Sequence, residues 1–398
     1  MLGMLSISVY NAPGTGDFGV WFEWINLMKS QGFYATLVQI NDNYPPFSLM
    51  LLDAVLHLSQ WTGLSIFFWL KTSLLVGLLS TTAVFYGWTR NRGLAIGLYL
   101  ALLVNVGCGY LDVYWTVSLV AALWALHRNN FALAAALYTL SVMTKPQPIL
   151  AAPFMALYAL NICSWRDYAT IDWKRVGKAA AGCLAVLGLF TLRLGWAAFA
   201  PLVNAMDTTG QHGYSNATPS GNSFNANWIL THALHVWNPA QFGPLDHGAA
   251  SYIPSIGLAW QLPFKTAFAG LFLYVLYRFF REEKTMKSLL QYSALGALTC
   301  VMFNTGMHEN HLYVVPLLTV GLAAIDDRFW GLNAFWLTAS TLNLAIIYGI
   351  GGSGIGYSRV AGIDLALVFS LANISIYAVS LASMFAPQEN PNRDHGLM

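Results

Sequence analysis

Apolar runs follow one another along almost the whole chain, broken by short polar segments, and their lengths predict helices rather than strands. Membrane-crossing helices are expected near Gly63–Trp88, Gly93–Gly107, Val113–Leu126, Phe131–Thr144, Pro148–Ile162, Val176–Ala198, Leu262–Phe280, Leu289–Thr305, Leu312–Ile325, Phe329–Ile347 and Ile363–Met384. That makes about eleven crossings, within an expected range of about 11–13 helices. Met1–Tyr10 covers half of the roughly 20 residues that a crossing needs and lacks a basic n-region, so it reads as the remnant of a first transmembrane helix, not as a cleavable signal. The predicted fold class is all-α, a polytopic membrane protein with one transmembrane domain over 1–384 and a cytoplasmic tail over 385–398.

One stretch breaks this pattern. From Asn11 to Leu52 the chain is polar, aromatic and acidic: a Gly/Pro turn (Pro13, Gly14, Gly16) precedes Asp17, and Phe18, Trp21, Phe22 and Trp24 follow it. Such a segment belongs where water meets lipid. A second turn, Asn41-Asp42-Asn43-Tyr44-Pro45-Pro46, leads into an apolar helix over Pro45–Gln60 whose start the prolines pre-set. It carries Asp53 and His57 and is expected to lie along the surface, so that 11–60 forms a first outer loop. On that condition Arg90/Arg92, His127/Arg128, Arg166/Lys174/Arg175/Lys178, Arg278/Arg281/Lys284/Lys287, Arg328 and Arg393 share one face, which the positive-inside rule makes cytoplasmic. The outer face then receives the Asn11–Leu52 stretch, Tyr110-Leu111-Asp112, Lys145-Pro146-Gln147-Pro148, the long loop Ala200–Gln261, Met307–His311 and Gly351–Arg359. The long loop is rich in Gly, Pro, Asn, His and Trp without a charge run, and reads as an ordered cap. Lys71, inside the first long run, has no partner legible in the sequence.

Composition agrees with the pattern. The chain is 57% hydrophobic and 9% charged, against about 25% charged in soluble domains. A formal charge of +2 without a basic run interleaved with aromatics sets nucleic acid aside as a partner. Cys108, Cys163, Cys183 and Cys300 stand singly, without CxxC spacing, as small buried hydrophobes do. Serine-nucleophile, P-loop and dinucleotide signatures are absent, which argues against nucleotide-bound donors.

A few groups remain that can carry chemistry. Asp17 and Asp112 each read as a general base or as a helix N-cap, and both readings stand. Lys145 lies among apolar residues beside Pro146 and Pro148, where a cation costs a few kcal/mol unless partnered. An anionic phosphate would partner it; snorkelling to the headgroups is the other reading. Arg193, near the outer end of its helix, and Arg359, in a Gly-rich turn, are further phosphate candidates. His308 and Glu309 suit sugar hydroxyls or a phosphate. Their spacing with His311 lacks a metalloprotease pattern, so no metal or cofactor is expected, although a divalent cation is left open.

Taken in order, Gly16-Asp17-Phe18 with Trp21 and Trp24, Asp42-Asn43-Tyr44-Pro45-Pro46, Tyr110-Leu111-Asp112, Lys145-Pro146, Ser223-Phe224-Asn225-Ala226-Asn227-Trp228 and Met307-His308-Glu309 resemble the landmarks of the C-type glycosyltransferase superfamily. Within it, the chain is similar to bacterial mannosyltransferase-like proteins related to the GPI mannosyltransferases. The resemblance runs from Gly16 to about Pro316. It implies transfer of a sugar, such as mannose, from a polyprenyl-phosphate carrier to a glycan, lipid or protein acceptor, on the outer face of a bacterial inner membrane. Asp17 matches the catalytic acid of the first outer loop, Asp112 the second-loop acid, and Lys145 a position near the lipid phosphate; Tyr44 falls within a matched motif as a substrate-binding candidate. Where such proteins usually read His-Glu-Arg-Tyr, this chain has His308-Glu309-Asn310-His311. A glycosyl phosphate is already activated, so one base and a cation for the departing phosphate suffice, and a single displacement implies inversion. The rival readings are a transporter or flippase, and a polymerase or ligase of lipid-linked glycans.

Overall fold

The computed structural model describes residues 2–40, 44–204, 218–352, 359–360 and 362–383. Four helices open the chain: α1 (Leu2–Tyr10), α2 (Gly16–Gln31), α3 (Phe33–Ile40) and α4 (Pro46–Thr62). An antiparallel series follows, α5 (Ile66–Thr89), α6 (Arg92–Cys108), α7 (Asp112–His127), α8 (Phe131–Val142), α9 (Ala152–Leu160) and α10 (Trp173–Leu194). Three short helices, α11 (Ala200–Asn204), α12 (Ala226–Trp237) and α13 (Pro239–Phe242), precede the closing series α14 (Leu258–Arg281), α15 (Met286–Phe303), α16 (Val314–Ile325), α17 (Trp330–Tyr348) and α18 (Leu365–Ser383). Strands are confined, among the described residues, to two-residue pairs: β1 (Ser220–Gly221) parallel to β2 (Met307–His308), and β3 (Arg359–Val360) antiparallel to β4 (Ile363–Asp364).

Local chemistry sets these boundaries. Side chains of Ser65, Asn91, Asn130, Asp172 and Thr285 accept from the first turns of α5, α6, α8, α10 and α15, satisfying donors that a helix start leaves unpaired. The chain is a membrane protein by its helices: α5, α18 and the continuous segment Trp173–Ala198 are each long and apolar enough to cross a bilayer. Leu184, Leu189 and Leu192 of α10, Val76 and Leu79 of α5, and Val368, Leu371 and Val379 of α18 point outward, away from the protein core. Trp173 and Trp196 at the two ends of that α10 segment are 67% and 77% exposed. At 1.5 Å per residue they stand about 34 Å apart, close to the roughly 30 Å of a hydrocarbon core flanked by aromatic belts.

The helix ends sort into two faces. At one, Lys287 and Arg328 meet Asp326 between α16 and α17, and Arg175 at the start of α10 stacks on Phe131 and Tyr158. At the other, the ends of α6, α8, α15 and α17 meet the starts of α7 and α16. Helix α4 keeps both of its ends at this second face. Its first turn bonds the end of α8 (Phe47 N to Met143 O, 3.1 Å; Ser48 Oγ to Thr144 O, 2.5 Å). It leads within a few residues into α5, whose first turn receives the Tyr10 hydroxyl at Phe68 O, 3.0 Å. Both ends of α4 therefore lie at one face of the bundle, the condition under which the loop charges sort.

Lys71 of α5 finds its partners on α6. Its Nζ donates to Val106 O and Gly107 O at 2.8 and 2.9 Å and lies 5.0 Å from the Phe18 ring centre. A cation on the last carbonyls of a helix complements both their lone pairs and the helix dipole. Over residues 218–257 the long loop is ordered. Asn225 donates to Val301 O and Asn227 to Asn304 O, at 2.8 and 2.9 Å, satisfying the end of α15. His232 Nδ1 lies 3.0 Å from Asp364 Oδ2, tying α12 to the start of α18. Residues 205–217 of that loop, 41–43 of the second turn and the 385–398 tail lie outside the described residues.

Candidate functional site

The second face holds a buried set of charges drawn from five helix ends. Helix α2 is seated on the end of α6: Thr15 N bonds Cys108 O at 2.8 Å and Trp21 Nε1 bonds Gly109 O at 2.9 Å. Gly109 has φ +80°, and a Cβ there would stand 2.0 Å from the Phe18 ring, so only glycine lets the two segments close. Asp17 follows one residue into α2. The cap position is Thr15 and no side chain caps that turn, so the carboxylate is not spent as an N-cap.

Asp112 opens α7 fully buried, with both oxygens engaged. Lys145 Nζ donates to Oδ1 at 3.0 Å and Oδ2 at 2.8 Å; Asn310 Nδ2 adds 3.1 Å and Trp115 Nε1 3.3 Å. It caps no backbone donor, and the first partner of Lys145 is this carboxylate rather than a phosphate or the headgroup layer. Tyr44 lies under the ammonium with its ring centre 5.0 Å away, held edge-on by Trp21 and Trp24. The aromatic residues of α2 and of the turn before α4 thus form the floor of the ion pair.

On the other side stand His308 and Glu309. Glu309 N bonds Gly221 O at 3.1 Å beside the β1–β2 pair, and a Cβ on Gly221 would stand 2.4 Å from the His308 ring. The Tyr110 hydroxyl donates to Glu309 Oε1 at 2.5 Å, and the Tyr348 ring lies 6.5 Å from that of Tyr110. His308 Nδ1 is 3.9 Å from Glu309 Oε2.

Crowding of acids raises proton affinity here. Burial, then the Glu309 charge, pushes Asp17 up to about 6, against the opposing pull of Lys145. Burial also raises Glu309, and with Lys145 nearby it pushes His308 down to about 4, so the imidazole is neutral at pH 7. Asp17 is the one carboxylate at the rim, half-buried, and Glu309, Lys145, Asp112 and His308 all act on it. The arrangement can therefore hold a proton acceptor poised near neutrality beside a compensated ion pair.

No family model and no curated protein matches this chain.

Of the residues singled out in the sequence, Asp17, Tyr44, Asp112, Lys145, His308 and Glu309 come together. Arg193 does not: it is exposed on α10 and lines a separate cavity with Asp53 and His57 of α4. Arg359 begins β3, and its side chain lies outside the described residues. Tyr110, Asn310 and Tyr348 belong to the site but were not singled out. The first two sit inside polar motifs already noted, two residues before Asp112 and one after Glu309; Tyr348, at the end of an apolar helix, carried no signal. Among the described residues no three His, Cys, Asp or Glu side chains are grouped to hold a metal ion.

Proposed function

We propose that the protein is an inverting membrane glycosyltransferase of the C type, moving a sugar, such as mannose, from a polyprenyl-phosphate carrier to an acceptor hydroxyl on a glycan, lipid or protein. The observation that carries this reading is Asp17, a rim carboxylate raised to about 6 above the Asp112–Lys145 pair. A base works best with a proton affinity near the operating pH. Asp17 takes the proton of the incoming hydroxyl while its oxygen attacks the anomeric carbon. The glycosyl–phosphate bond breaks, and the departing phosphate carries off the electron pair towards Lys145. Asp112, with both oxygens engaged, positions Lys145 and is not the base. Neutral His308 and the Tyr110–Glu309 pair line the space with groups suited to sugar hydroxyls. With the basic face cytoplasmic, the site faces outward from a bacterial inner membrane, and the chain crosses about eleven times.

Purified protein, assayed with a panel of polyprenyl-phosphate sugars and simple glycoside acceptors, should transfer at least one sugar with inversion, and Asp17→Asn should abolish most of that rate. No turnover with any donor, together with vesicle uptake of a lipid-linked sugar, would replace this reading with the transporter. One observation favours that rival: a buried Asp–Lys pair is also what a proton-linked carrier breaks and remakes.

A further inference from the structure

The cavity that takes Arg193 away from the buried charges has a character of its own. It measures about 670 Å³ and lies between α10 on one side and α3 and α4 on the other. Its polar lining is Arg193, Asp53 and His57; its apolar lining includes Met50, Leu58 and Trp61. Arg193 makes no hydrogen bond or ion pair among the described residues. Its neighbours on α10, Leu189 and Leu192, point outward with the lipid-facing side of the helix.

Depth identifies what can reach it. Arg193 stands one turn before the exposed Trp196, at the aromatic level that marks the headgroup layer, and the cavity's Trp61 is 82% exposed. A guanidinium at this depth, beside an apolar wall, meets a headgroup phosphate above and chain methylenes below. Charge narrows the choice. His57 Nε2 lies 3.6 Å from Asp53 Oδ2, an acid that the histidine answers only when protonated. Arg193 thus shares the cavity's lining with a carboxylate, which suits a singly charged phosphodiester better than a doubly charged monoester.

We propose that this cavity binds the headgroup of an anionic phospholipid of the surrounding leaflet, with Arg193 on its phosphate and Met50, Leu58 and Trp61 against its glycerol and upper chains. The site stands apart from the Asp17 pocket and does not depend on the transferase reading. Its occupant clamps α4, the helix with both ends at one face, to α10.

The test is native mass spectrometry of the full-length protein released from mixed phosphatidylglycerol and phosphatidylcholine micelles. Wild type should retain one phosphatidylglycerol in preference to phosphatidylcholine. Arg193→Gln should weaken that retention about tenfold, the lower end of what a charge-assisted bond contributes, while Arg193→Lys keeps most of it. Arg281→Gln, at the opposite face, should leave it unchanged. Phosphatidylglycerol with brominated chains should quench a tryptophan signal that Trp61→Phe removes. Equal retention of both lipids, full retention by Arg193→Gln, or preferential capture of farnesyl phosphate or inorganic phosphate would each overturn the assignment. Arg193→Gln is exposed in the fold and should leave the thermal midpoint in neutral micelles unaltered, so a loss of lipid cannot be put down to unfolding.

Discussion

The two faces of the bundle handle charge beside hydrocarbon in different ways. At the basic face Asp326 is shared by Arg328 at 2.7 Å and Lys287 at 2.8 Å, with the cations reaching into water. The Arg328 bond holds the Asp326 carboxyl well below the usual range. At the other face Lys145 and Asp112 are buried against each other, and Asp17 and Glu309 stay easier to protonate than usual. Solvent-screened pairs orient helices and are individually replaceable, whereas buried ones constrain each other. Chemistry is expected where proton affinities are displaced towards neutrality, and the carboxylates so displaced among the described residues are Asp17 and Glu309.

If this contrast holds, the largest effect belongs to Asp17→Asn. Transfer should fall by roughly a hundred- to ten-thousand-fold, the contribution of a positioned base. The wild-type rate should rise with pH through about 6, because the base must be unprotonated, and the macroscopic limb belongs to the Asp17–Glu309 set jointly. Stability moves the other way. With a folded value near 6 and an ordinary value of 3.8, the unfolded chain binds fewer protons across that window. Relative to Asp17→Asn, wild type therefore loses at most about 3 kcal/mol as pH rises from about 4 to about 6, set against a gain from His308, whose folded value near 4 lies below its ordinary 6.5 and which both proteins share. A pH series of rates and melting points for wild type and Asp17→Asn reads both; a stability difference between the two that does not change with pH would put Asp17 in ordinary solvent.

Next comes Lys145→Met, which strands a buried carboxylate and should cost about 3–5 kcal/mol. Adding Asp112→Asn should recover much of that loss without restoring transfer. A double-mutant cycle on unfolding midpoints measures the coupling, and near-additive losses would mean the pair is not formed. Gly109→Ala should cost about 1–3 kcal/mol through its left-handed backbone and the Phe18 ring. Because it lifts α2 from α6, activity should fall further than stability does. The smallest effect is expected at the basic face: Arg328→Gln should cost about 0.2–1 kcal/mol, shrinking as salt is added. A larger, salt-insensitive loss there would erase the contrast between the faces.

Much of the helix plan was legible because apolar runs announce membrane helices. The run Gly63–Trp88 became α5, Phe131–Thr144 became α8 and Leu289–Thr305 became α15, each within three residues at either end. Pairings between helices were not legible. Lys71 has its carbonyls 35 and 36 residues away, and Tyr110 meets Glu309 across 199. Lys145 looked like a cation awaiting phosphate because nothing local says that the start of α7 turns towards it. Arg193 misled for a related reason: sequence gives its height in the membrane, while its bearing around α10 depends on packing.

The Asp112–Lys145 pair also bears on how such a chain enters a membrane. The two residues sit 33 apart, at the start of α7 and just beyond the end of α8, on successive helices joined by a tight turn at the basic face. A helical hairpin that carries its own counter-ion can neutralise both charges during synthesis, before α15 and α16 have left the ribosome. The translocation machinery then meets one near-neutral unit in place of two costly single helices. The residues that hold the site together would, on this view, also decide that α7 and α8 are inserted as a couple.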